Sequence, residues 1–341
     1  MNPGGSIKDR AAKYIINDAI KEGKLTTGGR ITEGTVGSTG IALGLLANVL
    51  GYNCDIFMPD DVAKEKSDLL KILGCEVHRV PPVSIINPGH YVNQAKKYGE
   101  KPNSNLFFSN QFENLSNFNA HYNETGPEIW QQTQEANIKI DAIIMGAGTG
   151  GTLSGITTYL KEKDPSIKSF LVDPVGSGLF NRVNAGVMYA NEEGLFIFFL
   201  LFLKDNFIDF LLAEGTRKRH QTDSILEGVG INRLTKNFEI SEKNISKAFR
   251  CFDDEAVRMS RYLIKREGLF LGGSSALNCV GAVKLAKHLN QKDAVIITVL
   301  CDGGHRYVSN LYNDEYLTKR HINTQPPSHP TLKYVLPDEF E

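Results

Sequence analysis

Apolar positions along this chain fall into short blocks, and most blocks run into a glycine-rich polar stretch. Ala11, Ala12, Tyr14, Ile15, Ile16 and Ala19 share one face at helical spacing, which predicts an amphipathic helix opening near Ser6. Ser6 and Asp9 stand three apart ahead of that face, a capping-box pattern. The β-like run 30–33 leads through Gly34-Thr35-Val36-Gly37-Ser38-Thr39-Gly40 into an apolar helix over 41–50. A second run, 141–145, leads through Gly146-Ala147-Gly148-Thr149-Gly150-Gly151-Thr152 into a helix through Tyr159 and Leu160. A strand over 170–172 ending on Asp173 follows. The segment 267–276 opens a helix over 277–289, and the run 294–300 delivers Cys301-Asp302-Gly303-Gly304-His305 to a loop. Repetition of run, loop and helix predicts open α/β sheets, whose ligands gather at the carboxyl ends of the strands.

The loops carry the candidate chemistry. Gly4 and Gly5 permit a tight turn and close approach of a ligand. Lys8 follows in the first helical turn, where the helix dipole disfavours a protonated amine. Such a lysine is suited to forming a Schiff base, although this stretch alone reads more simply as a capped surface helix with a solvated lysine. The loop 34–40 aims amides and hydroxyls at an anion; an ordinary strand-to-helix turn has the same sequence character. The loop 146–152 fits G-x-G-x-x-G with the acidic Asp173 roughly 20 positions on, as a dinucleotide site requires. Its two hydroxyls, Thr149 and Thr152, suit the oxygens of one terminal phosphate at least as well. The motif indicates phosphate and leaves NAD open as the cofactor.

Taken in order, the Pro-Gly-Gly-Ser-x-Lys start, the Thr-x-Gly-x-Thr-Gly loop and the Gly-Thr-Gly-Gly-Thr loop resemble the fold-type-II pyridoxal-phosphate enzymes. The likeness is to the cysteine synthase and cystathionine β-synthase group, and within it to the branch called cysteine synthase 2. It extends from Asn2 to about Tyr312, with Asn110-Gln111-Phe112, the segment 125–130 and Glu227-Gly228-Val229-Gly230 in support. The resemblance implies a tryptophan synthase β-like fold of two open twisted-sheet α/β domains with the cofactor cleft between them. It implies a transferase or lyase in which pyridoxal 5'-phosphate is the cofactor and Lys8 holds it covalently and moves protons. Gly148, Thr149, Gly150, Gly151 and Thr152 would cup the cofactor phosphate. Thr35, Gly37, Ser38, Thr39 and Gln111 would hold the substrate carboxylate, with Gly228 bordering the site. Ser38 and Gly303 would face the cofactor ring. The implied reaction is β-replacement, forming L-cysteine from O-acetylserine or a related O-activated serine and sulfide. A homodimer is also implied.

Three positions depart from the more common family pattern. Val36 replaces a hydroxyl, Ser38 replaces the Asn that bonds the ring oxygen, and Gly303 replaces the serine beside the pyridine nitrogen. A water, Asp302 or His305 is the expected substitute at that nitrogen. These changes bear on efficiency and substrate choice more than on cofactor binding. Alternatives to cysteine formation are a cystathionine-forming or serine/threonine-deaminating relative, a NAD-binding Rossmann enzyme, and a binding protein that has lost turnover.

At 341 residues, 41% hydrophobic and 23% charged, the chain has the makeup of a two-domain globular protein. A net charge of -1 gives no reason to expect nucleic acid or an anionic membrane as partner. Five widely spaced cysteines without C-x-x-C argue against a zinc site or a disulfide framework, and the histidines show no ligand spacing, so no metal is expected. The expected division is 1–118, 119–315 and a disordered tail over 316–341. Family members place a strand ahead of the lysine loop, so the native start is expected to be missing, with a cytoplasmic or mitochondrial location. Residues 194–212 form an atypical insert, with six of the 18 phenylalanines between Phe196 and Phe210. Too short and too interrupted to span a bilayer, it is expected to loop out of the domain, as a retained intron in preference to a membrane anchor.

Overall fold

The computed structural model describes residues 2–62, 64–102, 104–189, 224–322 and 326–336. The described chain forms two compact units that meet in sequence between His121 and Tyr122. The expected insert at 194–212 lies outside the described residues.

The first unit is a four-stranded parallel sheet in the order β3-β2-β1-β4. Its strands are β1 (Arg30–Gly34), β2 (Asn53–Pro59), β3 (Glu76–Val80) and β4 (Leu106–Phe108), with helices α1 (Lys8–Lys21), α2 (Ser38–Leu50), α3 (Lys64–Ile72), α4 (Tyr91–Gly99) and α5 (Ser116–Ala120) around them. Residues 31–34 of β1 and 54–59 of β2 are buried without alternation, as expected of parallel strands covered on both faces. Helix α1 buries Ala11, Ala12, Ile15, Ile16 and Ala19, the face read from the sequence. Its start differs from the expected capping box. The carboxylate of Asp9 accepts from Gly4 N instead of from Ser6, and Ser6 Oγ accepts from Lys8 N at 3.3 Å. Gly5 (φ +77°) turns the chain back far enough for Asp9 to reach that earlier amide.

The second unit repeats the winding, in the order β7-β6-β5-β8, again all parallel. Its elements are α6 (Gly126–Glu135), β5 (Ala142–Met145), α7 (Gly151–Lys163), β6 (Lys168–Pro174), α8 (Leu179–Ala185), α9 (Lys236–Glu239), β7 (Ile245–Cys251), α10 (Asp253–Tyr262), α11 (Gly273–Leu289), β8 (Ile296–Ile297), α12 (Asp314–Thr318) and α13 (Leu332–Val335). Helix α11 lies directly on β6: a Cβ on Gly281 would come within 2.7 Å of Val172 Cβ. The expected strand over 294–300 pairs only at Ile296 and Ile297. Beyond them, side chains take over the ladder, with Thr298 Oγ1 donating to Ile144 O and Asn278 Nδ2 to Val299 O.

The disordered tail does not hold for residues 326–336. Val335 and Leu336 are buried in the core of the second unit, and Arg258 Nε donates to Val335 O at 3.0 Å. Two apolar side chains in a core outweigh the proline-rich composition ahead of them. No helix among the described residues is long and apolar enough to cross a membrane.

Candidate active site

In the first unit, the loop after β1 and the segment after β4 lie side by side because β1 and β4 are paired. Thr39 Oγ1 donates to Gln111 Oε1 at 2.6 Å, so two of the residues expected to hold a carboxylate are joined in one buried contact. Beneath them is Glu33, the penultimate residue of β1, fully buried. Its Oε1 accepts from Gly34 N at 2.9 Å; its Oε2 accepts from Gln111 N at 3.0 Å and lies 2.6 Å from Ser109 Oγ. Burial pushes the Glu33 carboxyl up to about 7, against the pull of those hydrogen bonds. Asn117 Nδ2 holds Gln111 O from α5 at 2.9 Å.

The loop itself is drawn in by Thr35, whose amide donates to Phe57 O at 3.0 Å and whose Oγ1 accepts from Gly37 N at 3.4 Å. Gly37 is the residue before α2 and offers no side-chain cap, and Ser38 opens the helix half-buried. Their amides and hydroxyls are the kind of donor set that receives a carboxylate. Val36 packs against the apolar cluster of Phe57, Val80, Tyr91, Ala95 and Phe108, which explains an apolar residue where a hydroxyl was expected.

Lys8 is half-buried at the first position of α1, which packs on α2 and α5. His121, just after α5, is wholly buried; desolvation, with the charges of Lys8 and Arg10, lowers its pKa to about 3 and keeps the imidazole neutral.

In the second unit the loop after β5 runs into the N-terminus of α7. Gly150 (φ +86°) precedes that helix and makes no side-chain cap, so the positive end of the helix dipole faces the loop. Thr149 and Thr152 flank it, both buried. The second loop, Gly228–Gly230, lies against the first: Gly230 N donates to Ala147 O at 2.9 Å, and a Cβ on Gly148 would collide with Gly228 O. A Cβ on Gly150 would stand 2.6 Å from Phe238 Cβ. Thr235 Oγ1 fixes Thr149 O at 2.8 Å, and Asn278 Oδ1 accepts from Gly146 N at 2.7 Å. An uncapped helix N-terminus with two adjacent hydroxyls, shaped by glycines that tolerate no side chain, fits a terminal phosphate.

The dinucleotide reading fails on Asp173. That carboxyl is fully buried, accepts from Phe180 N at 2.7 Å and is pushed up to about 7 by desolvation, so it faces no ribose. After β8, Gly303 bridges Leu271, and a Cβ there would first meet His305 Nδ1 at 3.3 Å and then Phe270 O at 3.8 Å. Asp302 is turned toward Tyr307, whose hydroxyl donates to Oδ2 at 2.6 Å. Among the described residues, Asp55, Glu76 and His78 bring three ligand-type atoms within 4.8 Å of one another. The Arg30 guanidinium already bonds Asp55 and Glu76 there, at 2.7 and 2.8 Å. Sequence reasoning missed Glu33, Asn117, His121, Thr235 and Asn278. Only Glu33 left a trace, as a carboxylate at the end of an otherwise β-like run.

Residues 1–302 match the family model described as pyridoxal-phosphate dependent enzyme. The chain is 48% identical over 336 residues to cysteine synthase 2 of Schizosaccharomyces pombe, covering 96% of this chain and 79% of that protein. It is also 48% identical over 318 residues to a cysteine synthase of Dictyostelium discoideum, covering 93% and 77%. A cystathionine beta-synthase of Apis mellifera is more distant, at 34% identity. Among solved structures, a hydrogen sulfide-producing enzyme complexed with an alpha-aminoacrylate intermediate superposes with a TM-score of 0.72 at 28% identity, covering 92% of this chain and 84% of that one. Family model, relatives and fold agree, and the chain belongs to the pyridoxal-phosphate dependent enzymes, in their cysteine synthase branch.

Proposed function

We propose that this chain forms L-cysteine by β-replacement on O-acetylserine or a related O-activated serine, with sulfide as the incoming nucleophile. The observation that carries the reading is the 48% identity to a cysteine synthase 2 along nearly the whole chain. The paired Thr39 and Gln111 and the uncapped N-terminus of α7 support it, since together they supply a carboxylate site and a phosphate site. Lys8 Nζ anchors the cofactor and moves the α-proton. Thr35, Gly37, Ser38, Thr39 and Gln111 orient the amino-acid carboxylate, and Gly148 to Thr152 hold the phosphate. Gly228 borders the site and Gly303 lies beside the ring. Pyridoxal phosphate, when bound, supplies the electron sink. The protein acts as a homodimer.

A second reading, a pyridoxal-phosphate protein with slow or altered turnover, is favoured by Val36, Ser38 and Gly303. The test is the colour of the purified chain loaded with pyridoxal phosphate. Wild type should be yellow and turn over O-acetylserine with sulfide; Lys8→Ala should lose both the absorbance and the activity. A wild type that stays colourless refutes the assignment. A yellow protein without cysteine production selects the second reading.

A further inference from the structure

Cys54 lies in β2, and Cys75 stands immediately before β3. These strands are parallel neighbours with Asp55 opposite Glu76, so the two cysteines occupy the preceding rung, on the same face of the sheet. Neighbouring strands run about 4.7–4.9 Å apart, inside the roughly 4.4–6.8 Å Cα separation that a disulfide spans. The two thiols are close enough that each shifts the pKa of the other. Both are buried, in one core with Leu43, Ala47 and Leu70. The roof over the pair is α2, thinned at Gly44, where a Cβ would collide with Cys75 Sγ. Only a residue without a side chain leaves room for that sulfur. The remaining cysteines, Cys251, Cys279 and Cys301, belong to the second unit.

We propose that Cys54 and Cys75 form a reversible redox modification site, a dithiol that closes to a disulfide under a peroxide or a small-molecule disulfide. With a peroxide, the Cys75 thiolate attacks one oxygen, the O–O bond breaks, and Cys75 becomes a sulfenic acid as one water leaves. Cys54 sulfur then attacks the sulfenic sulfur, the S–S bond forms, and a second water departs with the two thiol protons accounted for. Two thiols lose two electrons and the peroxide gains them. Cys75 is the natural attacker: its coupling to the Cys54 thiol lowers its pKa, while that same coupling and then burial raise Cys54. The proposal is independent of which substrate the enzyme uses.

The experiment treats the holoenzyme with graded hydrogen peroxide, blocks remaining thiols with N-ethylmaleimide, and maps unreduced peptides by mass spectrometry. A Cys54–Cys75 cross-linked peptide pair, two hydrogens lighter than the dithiol form and reopened by dithiothreitol, is expected. Cys54→Ser should replace it with a sulfenic acid trapped at Cys75. Absence of the cross-link at every dose that leaves the circular dichroism native overturns the proposal, as does preferential pairing of either cysteine with Cys279 or Cys301. The wild-type measurement decides even if the serine variant does not fold.

Discussion

Replacing Glu33 with glutamine is the sharpest test of how the proposed carboxylate site is built. The two oxygens of Glu33 serve different masters: Oε1 takes the amide of Gly34, and Oε2 takes the amide of Gln111 and faces Ser109 Oγ. A glutamine has one acceptor oxygen, so in either orientation its NH2 confronts a buried backbone N–H. Leaving one such donor unsatisfied costs about 1–3 kcal/mol. The strain falls on Gly34 or Gln111, and both lead to Thr39. At about 1.36 kcal/mol per decade, Glu33→Gln should raise KM for the amino-acid substrate by roughly 5- to 150-fold, with a smaller change in KM for sulfide. A pH signature separates this from a general folding defect. The folded Glu33 titrates near 7 against an ordinary value of 4.5. Between those values the folded state keeps a proton that the unfolded state has released. Its stabilisation is therefore complete below about 4.5 and lost as pH rises through 7. Wild-type KM should rise as pH falls through 7, as the carboxylate is neutralised, and the variant should lack that inflection. A variant with KM within twofold of wild type and an unchanged pH profile would refute the reasoning.

His121 gives the opposite slope. Its folded value of about 3 lies below the ordinary 6.5, so its contribution is present above 6.5 and lost as pH falls toward 3. Urea unfolding should show a loss of about 2 kcal/mol from this group between pH 7 and pH 5, absent in His121→Gln. Gly150→Ala places a Cβ against Phe238 at a φ of +86°, costing about 1–3 kcal/mol in backbone strain alone; cofactor titration should show at least a tenfold weaker affinity. Combining Ser38→Asn with Gly303→Ser lengthens one hydrogen-bonding side chain and adds another, and the nearest atom to the new serine Cβ is on the exposed His305 ring. Turnover should rise about tenfold to a hundredfold, and no gain at normal cofactor loading would mean these positions serve another specificity.

Local pattern and glycine chemistry made much of the architecture legible. The β1 and β5 runs, the apolar face of α1, and the loops 34–40 and 146–152 could all be read because each is set by neighbours in sequence. The Thr39–Gln111 contact spans 72 positions and Gly146–Asn278 spans 132, and no periodicity encodes such pairings. Glu33 misleads for the same reason: a carboxylate in a strand suggests solvent until Ser109 and the Gln111 amide arrive from β4. Asp173 misleads in reverse, matching a dinucleotide fingerprint by spacing while being used to bond Phe180 N. The tail failed because composition speaks for local entropy, whereas Val335 and Leu336 are held by α10 and its core.

The two sheets share one strand order, and in each the first and fourth strands lie side by side. The loop after the first strand and the loop after the fourth therefore form an adjacent couple twice over: 35–39 with 109–111, and 146–152 with 301–304. This is a modular division of labour for evolution and for engineering. Randomising the first couple changes the region proposed to read the amino acid, on a sheet separate from the one carrying the proposed phosphate loop. New amino-acid specificities are thus open to exploration by editing fewer than ten positions, while Gly148 and Gly150, where a Cβ would meet Gly228 O and Phe238, have to stay glycine.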